Sequence, residues 1–242
     1  MKKFHSLFAI IVITLSLNSF ARAITKDQLS IEVLQQEKIF NFSQPVRLSD
    51  VLQSLNAQNV VLEYPLATTL FDESQQAKKK VSELKYSISY ALINKDLASH
   101  PFYKFIQQQN FAERVISSID IDEIRLYQKK NPLLSGSYSL TAPKRIKKIY
   151  YLGNLNSANA LSGVYGISYN DQQAKLSRLL RKESLSPVFI YPDGKVVSPE
   201  ISYWLNNQYF LPPMTIVYFP FESYETSQLD KNIVKLLTFL KI

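Results

Sequence analysis

Residues 31–55 read IEVLQQEKIFNFSQPVRLSDVLQSL, and their apolar pattern changes halfway from that of strands to that of a helix. Residues 31–42 place apolar segments on both sides of a polar turn, which predicts two strands. Apolar side chains then recur at positions i, i+3, i+4 and i+7, the spacing of a helix that buries one face. These side chains are Leu48, Val51, Leu52 and Leu55. The pattern predicts strand, turn, strand and short helix, the start of an α+β fold.

The next segment predicts a pair of helices. Residues 60–64 (VVLEY) are predicted to be a strand, and Asp72 and Glu73 then place carboxylates where the dipole of a following helix favours them. A second short helix is predicted over residues 101–109. We therefore expect a helical hairpin at about 72–109, inserted into a β-rich region. The apolar face of the first helix comprises Ala77, Val81, Leu84, Ile88 and Leu92.

Beyond the helical hairpin, the pattern of the first half is repeated faintly in the second. Strands are predicted at 114–119, 124–127 and 137–140, with a turn over residues 120–123 and a boundary at residues 142–143. The second half predicts a strand at 146–155, a helix at 172–181, a hairpin at 187–199 that turns at Gly194, and a strand at 215–219. One helix crossing a mixed sheet in this order is a β-grasp arrangement. We expect two such domains in tandem, residues 24–141 and 142–222.

Residues 223–242 contain an amphipathic C-terminal helix. Ser227 and Asp230 fit a capping box at its start. Its apolar stripe either packs on the second domain or is offered to a partner or a membrane surface. The stripe, and hence the candidate partner-binding set, comprises Leu229, Ile233, Leu236, Leu237 and Leu240.

The first 23 residues have the pattern of a cleavable secretory signal. Lys2 and Lys3 precede an uncharged apolar run at 7–17, and small residues at Ala21 and Ala23 fit a signal peptidase site. The alternative is a membrane anchor, but a spanning helix needs about 20 apolar residues. We therefore expect export, cleavage after Ala23 and no transmembrane span in the mature chain.

Composition excludes several functional classes. The chain has no Cys and two His residues, His5 and His100, so neither a thiol nucleophile nor a zinc site is predicted. No Gly-rich phosphate loop occurs, and no cofactor is expected. The net charge of +8 includes short basic runs at 78–80 and 144–148, which are more typical of a solvated face than of a nucleic-acid site.

No catalytic group is therefore assigned, although two kinds of polar residue deserve testing. Paired carboxylates could perform glycosidase chemistry, with Asp120, Asp122 and Glu123 as the nearest source. Arg114 starts a predicted apolar strand, and Arg125 lies between Ile124 and Leu126 of another. Each has five guanidinium donors to satisfy, either in salt bridges to nearby carboxylates (Glu113, Asp120 or Asp122) or in a forked interaction with a ligand carboxylate or sugar hydroxyl.

Five short motifs resemble, in the same order, those of the GfcC-type capsule biosynthesis family. Two turns depart from the family pattern, because Ser137 replaces an Asp and Pro213-Met214 replaces a Pro-Gly pair. Residues 114–126 resemble the family's arginine-bearing strand and turn, and NPLLSGSY at 131–138 resembles its N-P-L-x-x-G-D-Y turn. YPDG at 191–194 resembles its P-D-G hairpin, Trp204 and Asn206 resemble its W-N pair, and FPF at 219–221 resembles its V-P-F ending.

The resemblance implies two β-grasp domains, the first carrying a helical hairpin, in a periplasmic accessory protein of capsule or exopolysaccharide biosynthesis and export. Its expected partners are a polysaccharide or outer-membrane polysaccharide export proteins. A groove arginine is the family's candidate ligand site, and the motif places it at Arg114, with Arg125 second. The alternative from the residues is a periplasmic polysaccharide-processing enzyme that uses paired carboxylates.

Overall fold

The computed structural model describes residues 28–155, 168–169, 186–199 and 208–241. The predicted signal peptide, the predicted helix at 172–181, Trp204 and Asn206 lie outside these residues. Helices are α1 Leu48–Ala57, α2 Gln75–Asn94, α3 Pro101–Gln108, α4 Ile121–Leu126 and α5 Gln228–Thr238. Strands are β1 Leu29–Val33, β2 Lys38–Phe42, β3 Val46–Arg47, β4 Thr69–Asp72, β5 Glu113–Ser117, β6 Leu133–Leu134, β7 Gly136–Thr141, β8 Tyr150–Gly153, β9 Val188–Ile190, β10 Val196–Val197 and β11 Ile216–Phe219.

The described residues form an α+β fold with two mixed sheets that share one strand arrangement. The first sheet has the order β2-β1-β7-β4-β5, and the second has the order β8-β11-β9-β10. In each sheet the strand that comes early in the sequence pairs in parallel with the last strand, as β1 does with β7 and β8 with β11. The last strand then pairs antiparallel with β4 in the first sheet and with β9 in the second.

The hairpin and helix predicted at the start of the chain are confirmed. Strands β1 and β2 pair antiparallel, and α1 buries Leu48, Val51, Leu52 and Leu55 against the first sheet. The helical hairpin is also present, as α2 and α3. Helix α2 buries Ala77, Val81, Ile88 and Leu92, four of the five residues predicted for its apolar face.

Two predicted strands are wrong. Residues 60–64 are irregular, and the strand is β4, which pairs with both β5 and β7 and is followed by the N-cap of α2, Ser74. Residues 124–127 are not a strand either, because Asp120 accepts hydrogen bonds from the backbone N–H groups of Asp122 and Glu123 and so caps α4. Arg125 therefore lies in a short helix.

Helix α5 completes one apolar core together with α2, α3 and the second sheet. The stripe residues of α5 are at most 8% exposed and contact this core, so they are not available to a partner. The interpretation of the stripe as a partner-binding surface is therefore corrected, because α5 returns across the helical hairpin and covers its own sheet. This correction applies to the whole candidate partner-binding set: Leu229, Ile233, Leu236, Leu237 and Leu240.

Candidate functional site

Arg114 occupies the point where the first sheet, the second sheet and α5 meet. It lies in β5 beside an irregularity in the pairing of β4 with β5. Its Nε donates to the Thr238 carbonyl oxygen at 2.7 Å, and its Nη1 donates to the Pro192 carbonyl oxygen at 2.8 Å. Nη1 also contacts Thr69 Oγ1 at 3.1 Å and Ser117 Oγ at 3.3 Å. One side chain thus fastens three parts of the fold together, and we call this arrangement the arginine clasp.

The chemistry of the clasp suits a buried cation. The Thr238 carbonyl lies at the C-terminal end of α5, where the helix dipole favours positive charge. The Phe71 ring lies beneath the guanidinium, with its centroid 5.6 Å from Cζ. Burial lowers the pKa of Arg114 to about 10, and the charge of Asp193 partly opposes this decrease. Arg114 therefore remains charged at neutral pH.

The salt bridges expected for Arg114 are not formed within the described part of the chain. Glu113 instead pairs with Lys80, and Asp120 caps α4. The acceptors that replace them come from chain segments up to 124 residues away. Sequence spacing could not identify these acceptors, since two are backbone carbonyl oxygens, which every residue carries.

Little space is left around the guanidinium. The void beside Arg114 measures about 10 Å³, which is about the volume that one water molecule needs. The turn at Gly194 closes over the side chain, and a Cβ added there would lie 3.1 Å from Arg114 Cδ. Nη2 makes no hydrogen bond to the described residues, so its donors are the part of the guanidinium that the described protein does not use.

Arg125 is in a different place and a different environment. Its side chain is exposed at the end of α4 and lines a groove of about 420 Å³ between α1 and α4. Gln53, Asn56 and Asp122 line the same groove. Arg114 and Arg125 line separate cavities, so the structure does not bring the two candidate arginines into one site.

The other polar candidates have structural roles. Asp120 caps α4, and Glu123 pairs with Lys130. His100 is buried at the start of α3, and its Nδ1 accepts a hydrogen bond from the Phe102 backbone N–H at 3.1 Å. Among residues 28–155, 168–169, 186–199 and 208–241, no group of three or more His, Asp or Glu side chains is placed to hold a metal ion.

A buried carboxylate, that of Asp230, organises the start of α5 beyond the capping role that its position in the sequence predicts. Ser227 Oγ accepts from the Asp230 backbone N–H, as the capping box predicts. The Asp230 carboxylate, however, turns inward and accepts from Tyr218 Oη at 2.6 Å and from the backbone N–H groups of Phe221 and Glu222. Burial, together with the charge of Asp230 and the hydrogen bond to it, raises the pKa of Tyr218 well above its ordinary value. Asp230 thus fixes the corner between β11 and α5.

An ion pair secures the segment that follows α5. Glu73 accepts hydrogen bonds from Lys241 and from Ser139 Oγ. Burial alone would raise the pKa of Glu73, but these bonds and the charges of Lys241 and Lys78 bring it below the ordinary value. The end of the chain is thereby held against the first sheet.

Together these features define an α+β protein in which two mixed sheets of matching arrangement are joined by an arginine clasp and a buried helix. The family model described as capsule biosynthesis GfcC, N-terminal, matches residues 26–145, which include the whole first sheet and Arg114. The chain belongs to the GfcC-type capsule biosynthesis family, as its motifs indicate. In the part of the chain that the structure describes, no helix is both long enough and apolar enough to cross a bilayer.

Proposed function

We propose that this protein is a periplasmic, non-catalytic accessory protein of capsule or exopolysaccharide biosynthesis and export. The observation that carries the proposal is the family match, which spans the first sheet and reaches the clasp residue. In this proposal residues 1–23 direct export and are removed after Ala23. The mature chain then binds polysaccharide, outer-membrane export proteins, or both.

We also propose that the two sheets belong to tandem β-grasp domains, residues 24–141 and 142–222, followed by the terminal segment 223–242. The support is the shared pattern in which an early strand pairs in parallel with the last strand, and the last strand pairs antiparallel with a third. The arginine clasp connects the domains through Pro192 and connects the first domain to α5 through Thr238. Such a connection keeps binding surfaces on the two domains in a fixed relationship.

The two candidate arginines contribute differently in this proposal. Arg125 has an exposed guanidinium that makes no ion pair within the described residues, so it can bind an anionic or hydroxyl-rich ligand directly. Arg114 uses Nε and Nη1 within the protein and offers Nη2 alone. Its main contribution is to hold the hairpin at residues 188–197 in place.

Retention on the immobilised mature protein tests the binding function. We expect the protein to retain purified capsule polysaccharide, detergent-solubilised outer-membrane export protein, or both. Retention of neither would overturn the proposal. The same polysaccharide, incubated with the mature protein and sized by chromatography, should keep its chain length. Shortening would favour the alternative, a polysaccharide-processing enzyme.

A further inference from the structure

A cleft separate from the clasp opens where four segments meet. These segments are the turn after β1, the end of β7, the residues after α3 and the end of the chain. The cleft measures about 450 Å³, within the usual range of small-molecule sites. The lining residues that matter here are Leu34, Gln108, Gln109, Asn110, Phe111 and Lys241. We call this feature the amide cleft.

Three consecutive residues with amide side chains line the amide cleft. Gln108, Gln109 and Asn110 make no side-chain hydrogen bond to any residue that the structure describes. Each amide presents two N–H donors and a carbonyl acceptor. A sugar hydroxyl is also both donor and acceptor, so neighbouring hydroxyls of one ring can pair with neighbouring amides.

The backbone that carries these amides is held in place from both sides. Lys85 Nζ donates to the Gln107 carbonyl oxygen at 3.2 Å and to the Gln109 carbonyl oxygen at 3.4 Å. The Lys241 backbone N–H donates to the Asn110 carbonyl oxygen at 3.2 Å. Less conformational freedom is therefore lost when a ligand binds than would be lost at a free loop.

The rest of the lining mixes two apolar residues, Leu34 and Phe111, with the polar residues Gln35, Thr141 and Lys241. Phe111 and Leu34 give the cleft an aromatic ring and an aliphatic side chain, surfaces that suit the C–H face of a pyranose ring. No carboxylate lines the cleft within the described residues, whereas Lys241 does, paired with Glu73. An acidic sugar would therefore meet no carboxylate among the lining residues. The groove beside Arg125 differs, since Asp50 and Asp122 line it.

We infer that the amide cleft is a saccharide subsite that binds one or two pyranose residues of a neutral or acidic polysaccharide through its amides and through Leu34 and Phe111. This inference rests on the proposed function and narrows it to a glycan contact at a stated place.

Native gel electrophoresis through gels that contain capsule polysaccharide, purified from the strain that carries the gene, tests the inference. The mature wild-type protein should be retarded by the polysaccharide. The double variant Gln109→Ala/Asn110→Ala should raise the apparent Kd about tenfold or more, because it removes two amide partners. The matched control Gln76→Ala/Asn94→Ala also removes one Gln and one Asn amide, at exposed positions of α2 that line neither the amide cleft nor the groove beside Arg125, and should bind like wild type. Circular dichroism melting of both variants checks that they fold.

Wild-type binding by the folded Gln109→Ala/Asn110→Ala variant would overturn the inference, and so would a loss confined to the control variant. Equal losses in both variants would also overturn it, because binding would then not be localised to the amide cleft. If the polysaccharide does not retard the wild-type protein, the inference fails. Retention of an export protein on the immobilised chain would still leave the proposed function standing.

Discussion

Arg114 Nε donates a hydrogen bond to the Thr238 carbonyl oxygen at 2.7 Å, which ties an outer strand of the first sheet to the last turn of α5. The same guanidinium reaches Pro192 in the hairpin of the second sheet. The clasp is thus a junction between three segments that are far apart in sequence.

Replacement of Arg114 by Ala should lower the free energy of unfolding by about 2–4 kcal/mol, because it leaves buried carbonyl acceptors without donors. Urea denaturation measures the change. Arg114→Lys should recover only part of the loss, since one ammonium cannot reproduce the planar fork. The exposed Arg125→Ala is the control, with an expected change within about 0.5 kcal/mol. Equal stability of the two alanine variants would contradict the clasp.

Asp230→Asn should lower the free energy of unfolding by about 2–4 kcal/mol, because the buried carboxylate accepts three hydrogen bonds and an amide cannot accept all of them equally well. Chemical denaturation checks the value. The control Asp122→Asn changes an exposed carboxylate in α4 and should have a much smaller effect. A small effect of Asp230→Asn would mean that the corner between β11 and α5 is held by other contacts.

The interaction of Glu73 with Lys241 should make stability depend on acid pH. The pKa of Glu73 is below its ordinary value of 4.5 in the folded protein, so the folded state binds fewer protons than the unfolded state as the pH falls through this region. The stabilisation is therefore present above about pH 4.5 and is lost as the pH falls through the folded-state pKa. Denaturation of wild type and Glu73→Gln across this range should show a stability difference that shrinks with acid. A pH-independent difference would contradict this account.

Met214 allows the cost of backbone strain to be separated from the benefit of packing. It has a φ of 67°, in the left-handed region, yet its side chain is buried against Tyr64 and Ala67. Met214→Ala should cost about 2–5 kcal/mol, because it removes packing and keeps the strain. Met214→Gly removes both and should be the more stable of the two by about 1 kcal/mol. Thermal melting of the two variants compares their stabilities. Greater stability of Met214→Ala would show that the backbone at this position is unstrained.

Local patterns predicted the parts of the fold that depend on neighbouring residues. The first hairpin and α1 follow from alternation and helical spacing over short windows, and so does α2. The positive φ of Gly194 also follows from its turn. Residues 60–64 and 69–72 are both apolar, and only the pairing of β4 with β5 and β7 selects the second segment as the strand.

The candidate site could be predicted less well, because its partners are distant in sequence. The sequence identified Arg114 as a residue of interest but not Thr69, Pro192 or Thr238 as its acceptors. The carboxylates before Arg125 resemble a turn and so predict a strand for Arg125, whereas they start a helix capped by Asp120. The apolar stripe of α5 had no visible partner in the sequence, since its neighbours lie in α2, α3 and the second sheet.

The amount of surface capsule on a strain that lacks this gene tests the account most directly. Capsule should fall sharply in the deletion strain and return when the full chain, with residues 1–23, is supplied again. A chain without residues 2–23 should not restore it. Normal capsule in the deletion strain, or full restoration by the chain that lacks its leader, would contradict the assignment of a periplasmic role in capsule assembly.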